Sequence, residues 1–130
     1  MKSKKEFIDS CVKIGHLESC DCFGHYPFQL VAENKDGGLE INALALGGDV
    51  EACYRRAAEY KTNGAKKIYM SLDFPAGDDI DKDFVAIFSI EDGEINISAI
   101  PYNTEDGKTF DVIEKSSYLT GIKEQFIAFL

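Results

Sequence analysis

Both histidines of the chain and three of its four cysteines fall within "CVKIGHLESCDCFGH", residues 11–25. Thiolate and imidazole are the donors zinc prefers, four to a tetrahedron. Cys11, His16, Cys20, Cys22 and His25 offer one donor more than that. Spacing thins the set. Paired cysteines of structural zinc sites usually stand two to four residues apart, whereas Asp21 alone separates Cys20 from Cys22. Cys11 falls on the apolar stripe of an amphipathic segment, where a free cysteine behaves as a small hydrophobe. This leaves His16, Cys20, Cys22 and His25 as a C-x-C-x-x-H arrangement with one imidazole upstream, and zinc is the only cofactor the pattern suggests. The same residues could also place a thiol beside a base for nucleophilic chemistry. Glu18 and Asp21 work against that, because adjacent negative charge raises a thiol pKa. The plain alternative is a connecting loop whose thiols and rings fill the edge of a core.

The second chemical feature is acidic. Residues 73–94 carry Asp73, Asp78, Asp79, Asp81, Asp83, Glu91, Asp92 and Glu94 against Lys82 alone, a local charge of -7 within a chain of net charge -9. Such a surface repels phosphate backbones, which disfavours nucleic acid, and attracts a basic protein or a cation. Asp79, Asp81 and Asp83 alternate like the first ligands of a calcium loop. Phe84 at the sixth position and Ile90 at the twelfth, where glycine and a bidentate glutamate are required, exclude an EF-hand. Gly47-Gly48 between a strand and a helix matches neither a dinucleotide fingerprint nor a P-loop, and Asp49 occupies the place an anion would take.

These residues need elements to hold them. Phe7, Ile8, Cys11, Val12 and Ile14 recur at helical spacing and predict a first helix over about Ser3 to Ile14, ended by Gly15. "YPFQLVAENKDGGLEINALAL" reads as two strands around an Asp36-Gly37 turn. Asp49 caps a second helix, "VEACYRRAAEYKT", with Val50, Cys53, Tyr54, Ala57 and Ala58 on its buried side, closed by Asn63-Gly64. In "KKIYMSLDF", Ile68, Met70, Leu72 and Phe74 alternate with Tyr69, Ser71 and Asp73, so one face is buried and one polar. "DFVAIFSI" is apolar on both faces, the mark of an interior strand. It turns through Asp92-Gly93 into "INISAIPY". "KTFDVI" is a candidate short strand, and Ser116 or Ser117 caps a last helix through Tyr118, Leu119, Ile122, Phe126, Phe129 and Leu130.

The order α-ββ-α-βββ-α predicts an α+β domain over residues 1–130, a mostly antiparallel sheet of five or six strands with helices packed on one face. The other face would show Tyr69, Ser71, Asp73, Asn96 and Ser98 to water, to a partner or to a second copy of the chain. No apolar run reaches the length of a membrane span. The basic start lacks the apolar stretch of a signal peptide, so a cytoplasmic protein with reduced thiols is expected.

Function is therefore expected to be non-catalytic: an acidic interaction or regulatory domain that binds a basic protein partner through Tyr69, Ser71, Asp73, Asp78, Asp79 and Asp81. Charge reversal at Asp79 and Asp81 should then weaken partner capture and leave the thermal midpoint nearly unchanged. The alternative is a zinc- or thiol-dependent enzyme or metal-binding module built on the loop 16–25.

Overall fold

A computed structural model describes residues 3–10, 28–44 and 49–130. Among the described residues it contains an α+β arrangement of three helices and one antiparallel sheet. Helix α1 covers residues 4–10. Ser3 caps its start: Ser3 Oγ accepts from the Glu6 amide at 3.1 Å and donates to Glu6 Oε1 at 3.3 Å. Strands β1 (Phe28–Glu33) and β2 (Leu39–Leu44) form the first hairpin, with Gly37 at φ +86° in the turn. Helix α2 (Val50–Thr62) begins at Asp49, whose side chain accepts from the Ala52 amide at 3.1 Å. It ends in a Schellman motif: the Gly64 amide donates to Lys61 and the Ala65 amide to Tyr60, with Gly64 at φ +87°.

Strands β3 (Lys67–Phe74), β4 (Phe84–Glu91) and β5 (Glu94–Pro101) complete the sheet, whose order is β2-β1-β3-β4-β5. The β4–β5 turn has both central residues at positive φ, Asp92 at 50° and Gly93 at 79°. That is the twist a two-residue hairpin requires. Helix α3 (Ser117–Ile127) closes the chain with Ser116 as its N-cap. Among the described residues no helix is long and apolar enough to cross a membrane.

Two apolar clusters sandwich the sheet. On one face Leu30, Met70, Leu72, Phe84 and Phe88 meet Cys53, Tyr54 and Ala57 of α2 and Leu119, Ile122 and Phe126 of α3. Aromatic rings join these layers, with Tyr54–Phe126 centroids 5.1 Å apart and Phe88–Phe126 5.0 Å. On the opposite face Val31, Tyr69, Val85, Ile87, Ile100 and Tyr102 pack with Phe7 of α1, whose ring lies 5.6 Å from that of Tyr69.

This second cluster corrects the expectation of helices on one face only. Tyr69, Ser71 and Ser98 are buried, at 1%, 0% and 3% exposure, while Asn96 alone of the expected polar row is fully exposed. The physical reason lies across the strands. Ser71 pairs with Ile87, which pairs with Ser98, and Asp73 pairs with Val85. The character of a sheet face follows its cross-strand neighbours, and those of β4 are apolar.

The stretch 108–113 folds back beside β5 rather than forming a regular strand. The Asn103 amide donates to Lys108 and the Phe110 amide to Pro101, while Ala99 and Ile113 exchange both backbone bonds. Between those pairings two residues, Asp111 and Val112, oppose Ile100 alone, which makes a β-bulge. Pro101 has no N–H to return to Phe110, so the ladder is weakest there.

Candidate binding surface

Strand β4 divides the acidic stretch in two. Asp73, Asp78, Asp79, Asp81 and Asp83, with Lys82, lie before it, at a net -4; Glu91 at its last position, with Asp92 and Glu94 beyond, gives -3. Eight strand residues span roughly 25 Å, well beyond the screening length of about 8–10 Å at ordinary salt. The apparent -7 is therefore split between opposite ends of the sheet, and at the second end Lys67, the cross-strand neighbour of Glu91, offsets part of it. The first is the richer, because the turn after β5 adds Glu105, Asp106 and Asp111 against Lys108.

At that end the β3–β4 connection and the turn after β5 enclose a groove of about 330 Å³. It is lined by Ala76, Asp81, Lys82, Asp83, Tyr102, Asn103 and Thr104. Each wall is held by specific bonds. Asp83 Oδ1 accepts from the Ala76 amide at 2.9 Å, which pins the connection to the start of β4. The Tyr102 amide donates to the Asp83 carbonyl at 3.0 Å, extending the hairpin by one residue. The Tyr102 hydroxyl donates to Asp73 Oδ1 at 2.8 Å. Burial first, and then the Asp73 carboxylate, push the Tyr102 phenol above its ordinary range, so it remains a neutral donor at physiological pH. At the edge of the groove, Lys82 Nζ lies 3.4 Å from Asp81 Oδ1 and 4.8 Å from the centroid of the Phe110 ring, which adjoins the lining. Phe110 is 41% exposed and Val112 45%, two of the large apolar side chains left open to solvent.

The residues expected to bind a partner fall into three groups. Tyr69 and Ser71 are buried in the second cluster and present no surface. Burial, and then Glu91, raise the Tyr69 phenol. Asp73 is half-buried and occupied by Tyr102, while Asp78 and Asp81 are exposed. Asp79 is exposed, yet it is a structural clasp. Its Oδ1 accepts from the Ser116 hydroxyl at 2.6 Å and the Tyr118 amide at 3.2 Å, and its Oδ2 accepts from the Ser117 amide at 2.9 Å. A carboxylate at the first turn of α3 meets orphan amides and the positive end of the helix dipole. The Ser116 hydroxyl foremost, then the Ser117 amide, hold its pKa below the usual value. Tyr118 reinforces the clasp by donating to the Pro75 carbonyl at 3.1 Å.

His16, Cys20, Cys22 and His25 lie outside the described residues. Among the described residues no three His, Cys, Asp or Glu side chains converge to hold a metal. Cys53 is a free thiol buried under α2, and burial, followed by Asp49, pushes its pKa up to about 11. A thiol of that kind is a packing group and a poor nucleophile.

Sequence reasoning counted Asp83 in the acidic stretch but placed neither it nor Tyr102, Asn103 and Phe110 among the binding residues. A signal for two of them was present. The two-residue Asp92-Gly93 turn fixes the hairpin register, pairing Phe84 with Pro101, and the next pair outward is Asp83 with Tyr102. Comparison of the chain with family models, curated proteins and solved structures finds no match.

Proposed function

We propose that the chain is a non-catalytic interaction domain that binds a basic protein partner at the acidic end of its sheet. The observation that carries this reading is the groove between the β3–β4 connection and the turn after β5. It combines carboxylates, a buried phenol and a rim of solvent-exposed acidic side chains. Charge of one sign concentrated around a concave surface steers an opposite charge toward it. Of the residues expected from sequence, Asp78 and Asp81 remain as direct contacts, Asp73 acts through Tyr102, and Asp79 supports the loop that carries them.

The two acidic ends supply an internal control. A variant carrying Asp81→Asn and Asp83→Asn should bind a basic decapeptide roughly tenfold more weakly than the parent at low salt, as loss of two charges lining the groove implies. Asp92→Asn with Glu94→Gln removes the same charge from exposed positions at the far end, and binding should stay within about twofold. Equal losses from both variants, read by fluorescence anisotropy, would reduce the groove to general electrostatic attraction.

A further inference from the structure

One wall of the groove carries a cation beside an aromatic ring. Lys82 places an ammonium between a carboxylate, Asp81 Oδ1 at 3.4 Å, and an aromatic face, Phe110 at 4.8 Å. A carboxylate on one side and a π-face on the other is the environment in which a cationic side chain is recognised. The pair is solvent-exposed, with Asp81 91% and Lys82 39% open at the side chain, and joins adjacent residues, so it contributes little and is easily displaced. Asp83 supplies the second carboxylate: the Ala76 amide holds its Oδ1 and so fixes the group in the lining of the groove. Phe110 rides on the bulged segment beside β5, where neither the Asp111 nor the Val112 amide is used in the ladder.

We infer that this groove, together with the Phe110 ring at its edge, is a receptor for an arginine side chain carried on an extended segment of a partner protein, with Lys82 as its intramolecular placeholder. The inference rests on the basic-partner reading above and specifies its chemistry. A guanidinium suits the site better than an ammonium for two reasons. It stacks flat on an aromatic ring, and its planar fork of donors can meet Asp81 and Asp83 together, whereas lysine offers a strongly hydrated point charge. The groove's volume, about 330 Å³, is at the small end of ligand pockets and suits one side chain rather than a folded element. The neighbouring chain segment of the partner would run past Phe110 and Val112, whose exposed apolar surface it would cover.

The test uses the full chain and two labelled decapeptides, one of alternating arginine and serine and one of alternating lysine and serine. Fluorescence anisotropy should show the arginine peptide binding about fivefold more tightly or better. Phe110→Ala alters no charge and should remove most of that preference, a loss of about threefold to fivefold for the arginine peptide alone. Phe110→Leu keeps the apolar contact without the π-face and should behave the same way, so the reading survives if the alanine variant folds poorly. Lys82→Gln should tighten arginine binding by more than Lys61→Gln, which makes the same charge change on α2.

Equal affinity for the two peptides, or Phe110 variants that bind like the parent, would overturn the arginine site. If Asp81→Asn with Asp83→Asn still weakened both peptides in that case, the acidic surface would stand without it. If those variants also bound normally, both readings would fall together.

Discussion

Phe88→Ala is expected to lower the stability of the fold by about 3–5 kcal/mol, the usual cost of truncating a large aromatic in a packed core. For a chain of this length that corresponds to a fall in Tm of about 10–20 °C. Phe88 is 1% exposed on interior strand β4, and its ring meets Tyr54 of α2, Phe126 of α3 and Phe74 of β3. Removing it would leave a void where both helices converge on the sheet, and close-packed interiors collapse only partly around such voids. Thermal or urea unfolding reads the effect directly. A loss below about 1 kcal/mol would mean that α2 and α3 are not seated on the sheet through this ring.

A second large effect is expected at Asp79, where sequence alone places a dispensable surface charge. Asp79→Asn should lower Tm by several degrees, because the amide cannot accept at both oxygens from Ser116, Ser117 and Tyr118. Asp78→Asn removes the same charge one residue earlier and should leave Tm nearly unchanged. Asparagine tolerates the positive φ of 48° found at that position. The pH dependence has a definite sign. The folded-state pKa of Asp79 lies below its ordinary value of 3.8, so its contribution is fully present above that value. It fades as pH falls through the depressed folded value. The gap between parent and Asp79→Asn should accordingly be widest at neutral pH and close in strong acid. A gap that persisted unchanged through acid, or equal Tm values for the two variants at neutral pH, would contradict the clasp.

What could be foreseen from the residues, and what could not, follows the range of the interactions. Asp49, Ser116 and the Asp92-Gly93 turn act within a few positions of themselves, and the caps and hairpin appear where those residues place them. The alternation of β3 is equally local and correctly puts Ile68, Met70 and Leu72 in a core. Its other face was misjudged because that face is decided by neighbours from other strands. Tyr69 looks amphipathic beside Ser71 and Asp73 but packs with Val31, Val85 and Phe7. The doubly apolar β4 carried the missing clue, since Val85 and Ile87 require cover of their own.

The acidic stretch shows the same limit in electrostatic form. Charge summed along the chain treats residues 73–94 as one patch, while an eight-residue strand carries its halves to opposite ends of the sheet. The bond from Ser116 to Asp79 joins positions 37 apart, and no local pattern announces it. Asp81 and Lys82 are neighbours in sequence, yet the ring that completes their site, Phe110, arrives from the far side of β5. The site is thus made by a hairpin register and a bulge, with no compact motif.

The central claim is that one acidic end of the sheet, and not the other, receives a basic partner. Amide chemical-shift mapping of the full chain during titration with the arginine-serine decapeptide tests it most directly. The account predicts saturable shifts centred on residues 76–83, 101–104 and 110–112, with the turn at 91–94 unmoved. Shifts of equal size at 91–94, or a diffuse response along every acidic residue, would contradict it.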